Sequence, residues 1–210
     1  MNKSFSSIRK QYVKGVLRES QVDRDPVAQL DQWLQDAINA ECPEPTAMVL
    51  STSGSEGRPS ARVVMLKESD RNGITFFTNY ESRKGEQLQA NPFAAVVFFW
   101  PRLERQVRIE GSVMRVSEAE SDAYFDSRPE PSRISAAVSP QSKIIPHRDW
   151  LEDMWMKAQQ SSILKRPANW GGYRLVPDYY EFWQGRADRL HDRLVYKPAA
   201  EGWKISRLAP

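Results

Sequence analysis

Between Thr46 and Thr78 the chain is cut into three short β-rich runs, Thr46–Ser53, Ser60–Lys67 and Gly73–Thr78, by the turn clusters Gly54-Ser55-Glu56-Gly57 and Asp70-Arg71-Asn72-Gly73. Turns this close together leave no room for the crossover of a dozen or more residues that a parallel sheet needs, so the runs must return as two antiparallel hairpins in series. The rest of the chain extends the pattern. Phe93–Trp100 is almost wholly apolar and suits a buried barrel stave. Arg105–Val116 alternates, with Val107, Ile109, Val113 and Val116 marking a long strand predicted to bend at Gly111. Gly171–Trp183, Leu190–Lys197 and Gly202–Arg207 are β-rich again. Many short strands with a few helices between them predict a mainly β fold, an antiparallel Greek-key barrel with flanking helices.

The helices announce themselves locally. Asp25-Pro26 reads as an N-cap and first helical position ahead of Val27, Leu30, Trp33, Leu34, Ala37 and Ile38 at helical spacing, with Pro43 and Pro45 beyond the end. Ser82–Asn91 is a short polar helix, and Ser117-Glu118-Ala119-Glu120 fits a capping box opening a helix to about Ser127. Trp150–Gln160 is a further helix, whereas Arg128–Pro146, rich in Ser and Pro, is expected to be a loop with short helical turns.

Composition excludes whole classes. The 210 residues, 40% hydrophobic and 27% charged, suit a single globular domain with a real core rather than a disordered chain. No apolar run approaches the ~18 residues of a membrane span, and Met1-Asn2-Lys3-Ser4-Phe5-Ser6 lacks an apolar signal region, so a cytoplasmic protein is expected. One cysteine, Cys42, and two histidines, His147 and His191, cannot build a structural zinc site, and no metal is expected. The net charge is only +3, but it comprises twenty Arg against ten Lys. Arginine's rigid fork of donors matches phosphate and carboxylate, which points to anions held in defined pockets.

Neither a Rossmann glycine fingerprint nor a P-loop, nucleophile elbow or H-E-x-x-H helix is written here. What remains is a set of basic residues on and after strands. Arg62 and Lys67, five apart, fall on opposite strand faces and could meet the two ends of a planar ligand. Ser82-Arg83-Lys84-Gly85, at a helix start, combines backbone donors with two side-chain cations and reads as a phosphate seat. Arg189, His191 and Arg193 alternate, so a strand would carry all three on one face, with His191 able to hydrogen-bond a ring substituent.

In order along the chain, Arg62-Val63-Val64-Met65-Leu66-Lys67, Phe77-Thr78-Asn79, Ser82-Arg83-Lys84, Leu103-Glu104-Arg105-Gln106-Val107-Arg108, Ser127-Arg128-Pro129, Pro140-Gln141-Ser142, Trp170-Gly171-Gly172-Tyr173-Arg174, Glu181-Phe182-Trp183-Gln184-Gly185 and Arg189-Leu190-His191-Asp192-Arg193 resemble the pyridoxine/pyridoxamine 5'-phosphate oxidases. The resemblance implies an FMN-binding split β-barrel over residues 25–210, preceded by an N-terminal arm, 1–24, that closes as a lid. It also implies a homodimer with FMN at the subunit interface. FMN contacts are then expected from Arg62, Val63, Val64, Met65, Leu66, Lys67, Phe77, Thr78, Arg83, Lys84, Gln106, Gln141, Ser142, Trp183 and Arg193. Lys67, Tyr124, Arg128 and Ser132 would hold the substrate phosphate, Arg189 and His191 would act at the pyridine ring, and Arg9 and Tyr12 would close over it. The implied reaction oxidises pyridoxine or pyridoxamine 5'-phosphate to pyridoxal 5'-phosphate by hydride transfer to flavin N5, with O2 reduced to H2O2. A phenazine-type oxidase on the same barrel and a non-catalytic flavin- or pyridoxal-phosphate-binding protein are the alternatives. The loop around Ala136 and Ala137 departs from the family, which often has Gly and Trp near these positions, and a nucleic-acid partner is not expected.

Overall fold

The computed structural model describes residues 3–7, 10–160 and 165–210. The first helix, α1 (Pro26–Asn39), starts where Asp25 accepts the Val27 N–H at 3.0 Å, and it buries Leu30, Trp33, Leu34 and Ala37. The first strands follow as β1 (Ala47–Ser53), β2 (Pro59–Met65), β3 (Glu68–Asp70) and β4 (Gly73–Asn79). The predicted Ser60–Lys67 strand is thus interrupted after Met65, where Leu66 turns inward to 7% exposure.

Ser82 caps α2 (Arg83–Ala90), after which the apolar run forms β5 (Phe93–Trp100) and the alternating segment forms β6 (Arg105–Arg115). The capping box of α3 (Glu118–Ser127) is present in both directions, between Ser117 and Glu120. The expected loop after Arg128 instead contains a regular helix, α4 (Glu130–Val138). Its prolines fall at the cap and in the first turn, Pro129 and Pro131, where a helix accommodates them, so they do not break it as a Pro-rich stretch suggests in sequence. The chain continues as α5 (Arg148–Gln159), β7 (Trp170–Gln184), β8 (Asp192–Pro198) and β9 (Trp203–Leu208).

The hydrogen-bonded strand order is β2-β1-β5-β6-β7-β4-β3, with β8 on β7 and β9 on β8. The β3–β4, β4–β7, β7–β8 and β8–β9 pairs are antiparallel. This is the mainly β architecture with flanking helices that the turn spacing demands.

The chain forms two compact units, each built from separated stretches: Met1–Met48, Val97–Ile109 and Asp178–Pro210 make one, and Val49–Val96 and Glu110–Pro177 the other. The core of the first centres on Trp33, Phe182 and Tyr196, with Trp33 edge-on to Phe182 at 5.2 Å. The core of the second centres on Phe76, Tyr80 and Tyr173, together with Ile74, Leu175 and Phe125.

β6 runs unbroken through Gly111, and the glycine answers a close approach: a Cβ there would lie 2.0 Å from the Val176 carbonyl oxygen and 2.9 Å from the Pro177 Cα. Both obstacles are backbone, so no rotamer change relieves them. Gly111→Ala is therefore expected to destabilise the fold by about 2–3 kcal/mol, the upper range for overpacking. Urea unfolding checks this, and a loss below about 0.5 kcal/mol would show that the strands yield freely.

Candidate functional site

A cavity of about 950 Å³ opens in the second unit, lined by Arg62, Val63, Val64 and Met65 of β2, by Lys67, by Phe77 and Thr78 of β4, and by Arg83 and Lys84 of α2. Tyr124, Arg128, Ser132, Gln141 and Ser142 complete the set of expected residues along its wall. Five separated stretches of sequence thus converge on one space. Leu66 is the exception within its run, being buried and absent from the wall.

Arg62, Arg83 and Lys84 line the cavity as a cationic cluster. The Lys84 ammonium, on a residue only 9% exposed, donates to Thr78 Oγ1 at 2.8 Å, Gln141 Oε1 at 2.9 Å and Ser82 Oγ at 3.3 Å, all neutral acceptors. Burial first, and the Arg62 charge second, lower its pKa from 10.5 to about 8. Arg62 likewise donates to Leu50 O, Thr52 Oγ1 and Ser60 Oγ. Its pKa is lowered by burial and by the Arg83 charge. Among the described residues none of these three cations forms an ion pair with a carboxylate. Like charges held together without a counter-charge repel one another, and a bound dianion removes that cost.

Two further cations, Lys67 and Arg128, line the same cavity beside aromatic rings. Tyr124 stacks on Phe77 at 3.8 Å, and the Lys67 ammonium lies 6.0 Å from the Tyr124 ring centre. The Arg128 guanidinium sits 4.7 Å over the Trp170 ring. Its Nη1 is buried with no hydrogen-bond partner, and burial lowers its pKa. A buried donor left unpaired costs about 1–3 kcal/mol, which an incoming anionic oxygen would recover.

In the first unit, a separate cavity of about 760 Å³ is lined by Lys10, Gln11, Tyr12, Arg186, Asp188, Arg189 and His191. The predicted strand alternation of Arg189, His191 and Arg193 is not found. Ala187–Arg189 forms a 3-10 turn, Asp188 and Arg189 take left-handed φ angles of 55° and 62°, and β8 begins only at Asp192. The reason is that the chain must reverse between β7 and β8, which pair from Gln184↔Asp192 onward. Arg189 and His191 still line one cavity, but through the turn rather than along a strand.

His191 Nδ1 accepts the Arg186 backbone N–H at 3.1 Å, which leaves Nε2 as the free ring nitrogen. Its ring lies 4.7 Å from Trp183 and 5.7 Å from Tyr12. Arg193 instead pairs with the buried Glu181 at 2.8 and 3.1 Å. Gln106, Trp183 and Arg193 line neither of these two cavities, and Arg9 lies outside the described residues.

Sequence reasoning missed several contributors. Ser60, Thr52 and Gln87 hold the Arg62 guanidinium, and Trp170 supports Arg128. Their signal was weak, because polar residues on an exposed-looking helix or strand carry no periodic mark of a site. Among the described residues no group of three or more His, Cys, Asp or Glu could hold a metal ion, and no helix is long and apolar enough to cross a membrane.

Residues 34–161 match the family model described as pyridoxamine 5'-phosphate oxidase, and residues 170–210 match that of the pyridoxine 5'-phosphate oxidase C-terminal dimerisation region. The chain belongs to the pyridoxine/pyridoxamine 5'-phosphate oxidase family. Relatives of that name agree along their whole length: the one from Cupriavidus pinatubonensis is 54% identical, covering 98% of this chain and 99% of its own. That from Polynucleobacter asymbioticus is 52% identical, covering 99% of each. Among solved structures, PhzG from Burkholderia lata, in complex with tetrahydrophenazine-1-carboxylic acid, superposes with a TM-score of 0.88 at 33% identity over 93% of this chain and 98% of its own. A pyridoxamine 5'-phosphate oxidase-related, FMN-binding protein from Nostoc punctiforme shares the fold, with a TM-score of 0.71 at 16% identity over 85% of this chain and 96% of its own. This oxidase family therefore accounts for the split-barrel fold.

Proposed function

We propose that the protein is an FMN-dependent oxidase that converts pyridoxine or pyridoxamine 5'-phosphate to pyridoxal 5'-phosphate. The observation that carries this reading is that one cavity is lined by two groups of cations, Arg62 with Arg83 and Lys84, and Lys67 with Arg128, which form no ion pair with a carboxylate among the described residues, together with the stacked rings of Phe77 and Tyr124. Two phosphate esters, one on the cofactor and one on the substrate, match two such seats, and the cavity volume lies in the range of small-molecule sites.

In this assignment Arg62, Arg83 and Lys84, with the side chains of Thr78, Gln141 and Ser142, hold the FMN phosphate. Val63, Val64, Met65 and Phe77 supply apolar surface along the same wall. Lys67, Tyr124, Arg128 and Ser132 hold the substrate phosphate, and the unpaired Nη1 of Arg128 donates to it. Arg189 and His191 act on the pyridine ring, His191 donating from Nε2 to a ring oxygen while its Nδ1 stays bonded to Arg186 N–H. Tyr12 covers that ring. Gln106, Trp183 and Arg193 contact FMN in a homodimer with the cofactor at the subunit interface, a reading supported by the dimerisation-region match over residues 170–210. When bound, FMN would supply the redox chemistry: it would accept a hydride from substrate C4' at N5 as the hydroxyl or amino group loses a proton, and would return two electrons and two protons to O2 as H2O2, the imine formed from the amine substrate being hydrolysed to the aldehyde and ammonia on release. The protein's part is to fix the reacting carbon and exclude water.

Anaerobic addition of pyridoxine 5'-phosphate to the FMN-loaded protein is expected to bleach the flavin, and admitting oxygen to restore its colour with pyridoxal 5'-phosphate formed. A flavin that stays oxidised overturns the reading. The likeness to PhzG favours a phenazine-type acid as the second reading. Such an acid has no phosphate for Lys67, Arg128 and Ser132, and bleaching by a tetrahydrophenazine acid alone would establish it.

Lys84 also makes binding pH-dependent. Its pKa in the ligand-free fold is about 8, below the ordinary 10.5, so the ammonium is lost as pH rises through 8. A phosphate is already dianionic there and prefers the charged lysine. FMN affinity is therefore expected to fall about tenfold between pH 7 and pH 9, with a proton taken up on binding at the upper end. Fluorescence titration of the apoprotein measures it, and a flat profile would show that Lys84 does not hold the phosphate.

A further inference from the structure

Glu104 is a buried carboxylate for which the proposed reaction has no use. It is 2% exposed, on the turn between β5 and β6, and its backbone takes a left-handed φ of 56°, a strained conformation for a glutamate. Its Oε2 accepts the backbone N–H groups of Val13 and Lys14 at 2.8 and 3.0 Å, and Oε1 lies 3.7 Å from the Lys10 ammonium. Its own carbonyl accepts the Gly185 N–H at 2.8 Å and Gln184 Nε2 at 3.1 Å. One residue therefore ties the N-terminal arm to the end of β7.

Tyr12 lies within the stretch so held. Its ring stands edge-on to Trp183 at 5.6 Å and to His191 at 5.7 Å, and it packs so close to Gly185 that a Cβ there would be 2.7 Å from Tyr12 Cγ. A second, independent anchor follows, because Leu17 N–H donates to Asp192 Oδ2 at 3.1 Å and Leu17 O accepts from Arg207 at 2.9 Å.

We propose that Glu104 is a positioning residue: it clamps the arm so that the Tyr12 ring stands against His191 in the cavity where the substrate ring is read. The proposal rests on the role given to Tyr12 and His191 in the function above. A carboxylate suits the task because it accepts two adjacent N–H groups on one oxygen and a cation on the other, and a buried charge holds such partners more firmly than a neutral acceptor does. The left-handed φ places the carboxylate toward the arm while the carbonyl faces β7, which accounts for a glutamate at a position where glycine would be less strained.

The test uses the FMN-loaded full chain with Glu104→Ala and Glu104→Gln, and reads amide hydrogen exchange in the arm together with steady-state kinetics. Glu104→Ala is expected to speed exchange at Val13 and Lys14 by about tenfold or more while leaving Leu17, held by Asp192, unchanged. The KM for pyridoxine 5'-phosphate should rise by about tenfold with FMN affinity retained, and Glu104→Gln, which keeps an acceptor oxygen, should recover most of that loss. Exchange that stays slow at Val13 and Lys14, or that quickens equally at Leu17, overturns the clamp. So does an unchanged KM in Glu104→Ala when Tyr12→Ala raises it. If Tyr12→Ala also leaves KM unchanged, the role of Tyr12 at the substrate fails instead, and the exchange rates alone decide the clamp. Should Glu104→Ala not fold, Glu104→Gln decides: a two- to fivefold rise in exchange at the two amides is expected from the lost charge, and no rise overturns the proposal.

Discussion

Lys84→Met is expected to lower FMN affinity about 100-fold and, at the same time, to make the FMN-free protein more stable. Both effects follow from one arrangement. The ammonium is buried among Thr78 Oγ1, Ser82 Oγ and Gln141 Oε1, with the Arg62 charge acting on it and, among the described residues, no carboxylate in ion-pair contact. A charge-assisted hydrogen bond to a phosphate contributes about 1.5–3 kcal/mol, so its loss weakens binding by one to two orders of magnitude. In the absence of the anion, the lowering of the pKa from 10.5 to about 8 corresponds to roughly 3 kcal/mol spent on keeping the charge inside. The sign is clear: a lysine whose folded pKa lies below its unfolded value costs most below pH 8, and stability rises with pH between about 8 and 10.5 as the unfolded chain holds more protons. An apolar isostere removes that cost, offset in part by the three acceptors left without their donor. Isothermal titration with FMN and thermal unfolding of the apoprotein at pH 7 measure the two effects. Weak binding together with a lower melting temperature would mean that Lys84 is a structural residue and not a phosphate ligand.

Arg189→Ala is expected to reduce kcat/KM for pyridoxine 5'-phosphate by about 100-fold or more without changing the affinity for FMN. Arg189 is exposed, stands at a left-handed φ of 62° and lines the cavity that also holds Tyr12 and His191. An exposed arginine on a strained turn contributes little to stability, so the variant should fold and unfold as the wild type does. Its loss removes a charged donor from the reacting end of the substrate, and misplacement there reaches the rate through geometry. Rapid anaerobic mixing separates the flavin reduction step from substrate binding. A reduction rate within twofold of wild type, with FMN bound, would remove Arg189 from the reaction.

The fold was legible wherever one short stretch carries its own signal. Asp25-Pro26 and the Ser117–Glu120 box start their helices as read, because capping bonds link residues two or three apart. Of the β-rich runs between turn clusters, β1 and β2 show burial alternating with period two, whereas β4 is buried almost throughout and is marked by its β-rich composition and flanking turns instead. α4 was not legible, since Pro129, Pro131 and the serines around them read as a loop, whereas both prolines sit at the helix start, where they need no intrahelical N–H. The strand through Arg189, His191 and Arg193 was misread because alternation of residue type is shared by strands and by reversing turns, and only the β7–β8 register at Gln184↔Asp192 tells them apart.

By itself, the order of residues determined which side chains could hold anions: the paired cations of Arg83-Lys84, the Arg62–Lys67 run, Arg128, and Arg189 with His191. That information is chemical and local, and survives without coordinates. Tertiary structure alone decided which cations are left without counter-charge. Arg193, as basic as the rest, is neutralised by Glu181, whereas Lys84 and Arg62 meet only neutral oxygens. It also decided that Glu104, 91 positions from Val13 and 90 from Lys14, accepts both of their N–H groups. The physical reason is that the energy of a charge depends on burial and on the partners within a few ångströms, and those partners come from stretches that no sequence window spans.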